Sequence, residues 1–132
     1  MGAWGTGNFD NDTALDWVFE LEESDDLSLV EQTIDTVLEE EYIESFSAEE
    51  ALVAIEVLAR LQGNFTEDDS YAEDVNKWVK EHPQEVPQSL REKAKKALKI
   101  ILGDNSELKD LWQETKEFDT WEKEVLGLYD RI

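Results

Sequence analysis

The sequence predicts an all-α protein, folded as a single irregular antiparallel bundle of six or seven short helices across residues 1–132. Apolar residues recur at spacings of three and four almost throughout the chain, which is the period of an α-helix. No segment combines a two-residue alternation with β-branched enrichment, as a strand would. The predicted connections are short and no internal repeat is visible, so one helical domain accounts for the whole length.

Two helices fill the first third of the chain. Helix 1 is predicted over about Asp12 to Glu23, with Asp10 or Asn11 as its N-cap. Its inward face is expected to carry Leu15, Val18, Phe19 and Glu22. Helix 2 is predicted over about 27–42, with an apolar stripe of Leu27, Val30, Ile34, Val37 and Leu38. The acidic side chains of helix 2 then face water.

A third helix is predicted to occupy the centre of the bundle. It starts at Ser47, because Ser47 and Glu50 have the spacing of a capping box, in which two side chains satisfy two free backbone donors. From Ala51 to Leu61, apolar residues cover most of the circumference, which is typical of a helix surrounded by others. Gly63 then acts as a C-terminal stop.

The second half is predicted to hold three or four more helices. Helix 4 covers about 70–81, ends at His82-Pro83, and turns inward Tyr71, Val75, Trp78 and Val79. Helix 5 covers about 87–102, with a core face of Leu90, Ala94, Ala97, Leu98, Ile101 and Leu102. Ser106 caps a sixth helix. The pattern leaves open whether residues 106–131 form two helices or one long bent helix.

The opening segment is rich in glycine and contains two aromatic residues, Trp4 and Phe9. We expect both rings to be mostly buried against helix 1 or the C-terminal helices, because docking an aromatic ring gains several kcal/mol. Glycine permits the tight turns that such a path needs. A purely structural role and a binding site built on the same residues both remain open.

Charge is distributed very unevenly along this chain of net charge −22. Residues 1–59 contain 17 acidic residues and no Lys or Arg, whereas residues 60–132 contain 17 acidic and 12 basic residues. Such a field repels nucleic acids and anionic membranes, so we expect neither as a partner. It attracts a basic protein, although solubility alone also accounts for acidity. Helix 5 carries a cluster of five basic residues, Arg91, Lys93, Lys95, Lys96 and Lys99, and we expect it to pair internally with the acidic first half.

The sequence offers little catalytic apparatus. It has no Cys and one His, His82, whose place beside Pro83 at a helix end indicates a structural or merely exposed residue. Asp10 and Asp12 match two ligand positions of an EF-hand loop, but Ala14 and Leu15 break the pattern. No nucleophile elbow or phosphate-binding loop is present. We therefore expect no catalytic residue, no metal site and no cofactor.

The opening signature resembles that of a bacterial family, domain of unknown function 4259. The residues that carry the resemblance are Trp4-Gly5-Thr6-Gly7, Phe9, Asn11-Asp12, Ala14 and Asp16-Trp17. It extends more loosely through helix 3, the segment from Ser106 to Trp112 and the closing Trp121 to Arg131. The resemblance implies a small bacterial cytosolic protein, and it brings no catalytic residues with it.

Two functions are compatible with these observations. The first is a non-enzymatic cytoplasmic module that binds a basic protein partner, as an inhibitor or an immunity-type protein. The alternative is a carboxylate-based or metal-dependent hydrolase, which requires several acids in one pocket. The candidate binding residues are Trp4, Asn11, Asp12, Asp16, Glu20, Glu31 and Asp35. The sequence gives no indication of the oligomeric state.

Overall fold

The computed structural model describes residues 5–65 and 72–132, and it confirms the all-α prediction. The helices are α1 (Asp12–Glu22), α2 (Ser28–Glu39), α3 (Ser45–Leu61), α4 (Glu73–Glu81), α5 (Gln88–Ile101), α6 (Glu107–Gln113) and α7 (Phe118–Arg131). Ile43 and Ser106 form an isolated parallel bridge between the segments that lead into α3 and α6. None of the helices in these two ranges combines the length and apolar character that crossing a bilayer demands.

Helix α3 lies at the centre of the bundle, as predicted. It contacts all six other helices, and every residue from 51 to 60 is buried. Its small alanines let the neighbouring helices approach closely, while Leu52, Ile55 and Leu58 fill the space between them. Gly63 follows the helix in the left-handed region, with φ of +86°, which confirms the predicted stop.

The start of α3 differs from the prediction. The helix begins at Ser45, two residues before the expected capping box of Ser47 and Glu50, and Ser47 is buried. Glu107, at the start of α6, accepts a hydrogen bond from the Ser45 N–H at 2.8 Å. Ile43, just before α3, also makes two backbone hydrogen bonds to the segment that leads into α6. Because the capping group comes from a distant part of the chain, no local motif marks this boundary.

The predicted inward face of α1 is wrong. Phe19 is 65% exposed and Glu22 is also exposed, whereas the buried residues are Ala14, Trp17, Val18 and Leu21. Both sets fit a helical period, so periodicity alone does not choose between them. Trp17 decides the face, because its indole N–H donates to the Thr33 hydroxyl of α2 at 2.9 Å while the ring is buried.

Other boundaries shift by a few residues. Helix α2 ends at Glu39, short of the predicted Tyr42, which lies beyond it with its side chain 49% exposed. The predicted start of helix 4 at Ser70 and its inward Tyr71 lie outside the described residues, and α4 itself begins at Glu73.

The C-terminal part consists of two helices rather than one long bent helix. Ser106 caps α6 by accepting from the Lys109 N–H at 3.3 Å, as predicted. At the break, the Thr115 hydroxyl donates to the Trp112 carbonyl at 2.7 Å and accepts from the Glu117 N–H at 3.1 Å. A side chain that serves both the end of one helix and the approach to the next favours the break over a continuous helix.

Candidate functional site

The glycine-rich opening folds around the carboxylate of Asp10. Asp10 Oδ2 accepts from the Gly7 N–H at 3.1 Å, and a Cβ added to Gly5 or Gly7 would lie 2.5 Å or 2.8 Å from that oxygen. Glycine is therefore required at both positions for the carboxylate to approach. Phe9 is buried, as expected, and its ring centre lies 5.1 Å from the guanidinium of Arg60 on α3 rather than against the predicted helices. Trp4 lies outside the described residues.

A buried ionic network fastens this loop to the last helix. Glu56 of α3 accepts two hydrogen bonds from the Arg131 guanidinium, at 2.7 and 2.8 Å. It also accepts from Asn8 Nδ2 at 2.8 Å and from Arg60 at 3.3 Å. Arg60, only 1% exposed, reaches α4 by donating to Asn76 Oδ1 at 2.8 Å. One carboxylate thus joins the opening loop, α3 and α7, and through Arg60 also α4.

Next to this network, the opening loop closes a narrow cleft against α3, α6 and α7. Its lining consists of Gly5, Thr6, Gly7, Asn8, Asn11, Glu49, Leu52, Leu108, Trp112 and Trp121. The empty space, including the open mouth, is about 250 Å³. The enclosed part admits a group about the size of one water molecule. We call this the Glu49 cleft.

Two polar groups in the Glu49 cleft are buried without an ordinary complement of partners. Glu49 is 8% exposed, and burial raises the pKa of its carboxyl to about 7, against a smaller opposing effect of the positively charged amino terminus. Asn8 is 5% exposed, and within the described residues its Oδ1 has no hydrogen-bond partner. Its orientation is fixed because Nδ2 donates to the Glu56 carboxylate, which only accepts. The Glu49 carboxyl therefore remains the acceptor for a donor in the cleft, whereas the Asn8 oxygen is covered as well as unpartnered.

The predicted binding residues fall into two electrostatic classes, of which the first lies on α1. Asn11 is the N-cap, with Oδ1 accepting from the Ala14 N–H at 2.7 Å, and Asp12 is exposed in the first turn. The exposed carboxylates of Asp16, Glu20 and Glu23 follow along the helix. Among the described residues none of these carboxylates forms an ion pair.

The second class, Glu31 and Asp35 on α2, is already paired. Lys93 of α5 lies 3.4 Å from the Glu31 carboxylate and 3.0 Å from that of Asp35. Hydrogen bonds to these carboxylates, that of Asp35 foremost, raise the pKa of Lys93. The expected internal pairing of basic helix α5 with the acidic first half is therefore confirmed at this position, and it separates these two acids from those of α1.

An open groove between α1 and α4 holds the single histidine. The groove is lined by Glu22, Asp25, Asp74, Lys77, Trp78, Glu81 and His82. The His82 ring stacks on Trp78, with centroids 4.7 Å apart, and its Nδ1 lies 3.0 Å from the Trp78 carbonyl. Since the carbonyl only accepts, Nδ1 carries the proton, and Nε2, 3.3 Å from Asp25, forms an ion pair only in the cationic ring. The His82 side chain thus caps the C-terminal end of α4 by donating to the Trp78 carbonyl.

A comparison with protein families assigns the chain. A profile described as domain of unknown function 4259 matches residues 2–124. The chain belongs to this family. No curated protein and no solved structure gives a significant match. The family match covers the Glu49 cleft and the acidic stretch of α1, but it attaches no activity to either.

Glu49, Glu56 and Asn8 are not among the site residues predicted from the sequence. Glu56 had a readable signal, because it interrupts the apolar run of α3 and a charge there must be paired or neutral. No local sequence signal marks Glu49 or Asn8, since the side chains that close the cleft around them come from α6 and α7. Within the described ranges, no group of three or more His, Asp or Glu side chains is placed to hold a metal ion. Asp12 and Asp16 line neither the cleft nor the groove.

Proposed function

We propose that this protein is a non-enzymatic cytoplasmic binding module whose α1 surface recognises a basic protein partner. The observation that carries the proposal is the exposure of Phe19 beside unpaired acids. Phe19 is 65% exposed, and the helical spacing places it on one stripe with Asp16, Glu20 and Glu23. We call these four residues the α1 stripe.

The α1 stripe has the composition of a protein-binding surface. An exposed aromatic ring supplies an anchor that gains free energy once it is covered, and surrounding charges select the partner and speed its approach. A Lys or Arg of the partner gains both an ion pair with a carboxylate and a contact with the ring of Phe19. Two carboxylates, those of Glu20 and Glu50, already repel each other at this surface. Burial raises the pKa of Glu50, and the nearby charge of Glu20 raises it further. A cation placed here relieves that repulsion.

A defined basic peptide tests the proposal. We expect a helical Lys/Leu peptide to bind in a fluorescence anisotropy titration, with affinity that falls steeply as salt is added. Removing the ring in Phe19→Ala should weaken binding roughly tenfold, as for an interface anchor. Neutralising Asp16→Asn, Glu20→Gln and Glu23→Gln together should weaken it by a similar roughly tenfold factor, at about 0.5 kcal/mol for each exposed charge pair.

Matched controls separate a specific surface from a diffuse field. Leu126→Ala removes another exposed apolar side chain, on α7, and should leave affinity unchanged. Glu92→Gln, Glu114→Gln and Glu117→Gln together change the net charge equally, at exposed positions outside α1. If these three substitutions weaken binding as much as those in α1, the acidity serves only as a general field and the proposal is wrong.

A carboxylate-based hydrolase is a second candidate, favoured only by Glu49. A carboxyl whose pKa is about 7 exchanges protons readily at neutral pH, which suits a general acid or base. Incubation with ester, phosphoester and peptide substrates tests this candidate, with Glu49→Gln as the control. Turnover that disappears in the variant would favour the hydrolase, and turnover that persists in it would point to a contaminant.

A further inference from the structure

The Glu49 cleft combines features that suit one kind of chemical group. Its lining has three buried polar side chains: Asn11 caps α1, Asn8 donates to Glu56 and its oxygen is covered, and Glu49 remains as the acceptor for a ligand. Its remaining side-chain walls are mainly apolar, from Leu52, Leu108 and the indoles of Trp112 and Trp121. A ligand that satisfies this cleft must therefore donate hydrogen bonds to acceptors and tolerate aromatic neighbours.

From this geometry we infer that the Glu49 cleft binds a primary ammonium group, presented by a lysine side chain of the basic partner. The inference rests on the proposed function for the source of that lysine. An ammonium group is about as large as a water molecule, which is what the enclosed part admits. It has three donors and no acceptor, which suits the Glu49 carboxylate in the lining of the cleft.

The surroundings favour an ammonium group over the other donors. A guanidinium is planar and wider than the enclosed space, so arginine is excluded from its inner part. A neutral hydroxyl adds no positive charge to offset the buried Glu49 carboxylate once it ionises. The indoles of Trp112 and Trp121, stacked with centroids 6.4 Å apart, belong to the lining, and indole is the aromatic ring that attracts cations most strongly.

The position of the cleft agrees with the proposed docking of a basic partner along α1. Asn11, which caps α1, is part of the cleft lining, and Asp16 lies five residues further along the same helix. That separation is about 7.5 Å along the helix axis. The α1 stripe therefore begins a little over one helical turn from the residue that borders the cleft, and the proposed lysine comes from a partner segment at that end of the stripe.

Titration with n-butylammonium chloride tests the site directly. The readout is the pair of indole N–H resonances of Trp112 and Trp121, with those of Trp17 and Trp78, outside the cleft, as internal references. We expect a saturable shift confined to the first pair at about pH 8, where Glu49 is ionised. Because only the ionised carboxyl pairs with the cation, affinity should fall about tenfold between about pH 8 and about pH 6.

Controls distinguish a built site from a bound water or a salt effect. Sodium chloride and n-butanol at equal concentrations should leave both resonances unshifted. Glu49→Gln should weaken butylammonium binding roughly tenfold or more, the loss of one charge-assisted hydrogen bond. Glu50→Gln, on the same helix but outside the cleft lining, should bind normally. An equal response to butanol or sodium chloride, or undiminished binding by a folded Glu49→Gln, overturns the inference.

The partner peptide separates this inference from the proposed function. Replacing its lysines with arginines should lower affinity roughly tenfold in the wild-type protein, and the difference should vanish in Glu49→Gln. If Lys and Arg peptides bind alike while the α1 substitutions still weaken both, the ammonium site is absent and the proposed function stands. If the α1 substitutions change nothing but butylammonium binds, the site exists and the proposed partner surface falls.

Discussion

Replacing Glu56 with alanine is expected to lower the free energy of unfolding by roughly 3 kcal/mol, because it removes the carboxylate that pairs with the buried Arg60 and the partly buried Arg131. Glu56 is 3% exposed and accepts hydrogen bonds from Arg131, Arg60 and Asn8. The loss exceeds that of an ordinary ion pair because water does not replace the missing charge in the interior. The same substitution also releases the opening loop from α3, since Asn8 is held there by Glu56.

Urea denaturation of the wild type and two Glu56 variants measures this effect. Glu56→Gln keeps the shape and part of the hydrogen bonding but not the charge, so its loss should be intermediate and the protein should remain folded. Lys93→Ala is the matched control, because it removes a half-exposed pair with Glu31 and Asp35, and solvent screens such a pair far more than a buried one. A Glu56→Ala loss no larger than that of Lys93→Ala would show that the network contributes little.

The parts of the fold that could be predicted depend on signals within a few residues of each other. The caps at Asn11 and Ser106 and the stop at Gly63 are all recognised from neighbouring residues, and all three are confirmed. The central place of α3 is also readable, because a helix with apolar residues on every side is stable only when others surround it. These features follow from local chemistry and from the apolar period alone.

The candidate sites depend on contacts between distant parts of the chain, which no local pattern encodes. Glu56 and Arg131 are 75 residues apart, yet their pairing fixes the C-terminal helix. The cleft around Glu49 exists because Trp112 and Trp121, from α6 and α7, close over α3. Glu107 replaces the predicted capping box by supplying the hydrogen bond at the start of α3. Each of these outcomes is decided by tertiary packing rather than by propensity.

Phe19 shows why an amphipathic helix in a small protein is ambiguous. The spacing from Leu15 through Val18 to Phe19 is as regular as that from Ala14 through Trp17 to Leu21. The second set is buried because the Trp17 ring packs in the core and its indole N–H donates to the Thr33 hydroxyl on α2. The first set therefore remains partly at the surface, and the exposed aromatic ring that supports the proposed function is the residue on which the predicted helix face was wrong.

Lowering the pH from about 8 to about 5 is expected to stabilise the protein, by roughly 1–2 kcal/mol from Glu49 once solvent screening of its carboxyl is included. Burial raises the pKa of Glu49 from 4.5 to about 7, so the folded state takes up a proton before the unfolded state does. Its ionisation costs stability above about pH 7, and that cost disappears as the pH falls towards 4.5. Glu50, whose pKa is also raised by burial, acts in the same direction.

Urea unfolding at about pH 8 and about pH 5 in wild type and Glu49→Gln tests this expectation, because the variant has no titrating group at that position. Glu49→Gln should be more stable than the wild type at the higher pH and should lose most of the pH dependence. Asp26 does not mask the effect, because a hydrogen bond from the Ser28 backbone lowers its pKa and places its titration below this window. Glu41→Gln, which removes an exposed carboxyl after α2, should keep the wild-type pH dependence. A wild-type protein that is less stable at pH 5 than at pH 8, or a Glu49→Gln variant with an unchanged pH profile, would mean that Glu49 is ionised in the fold without cost.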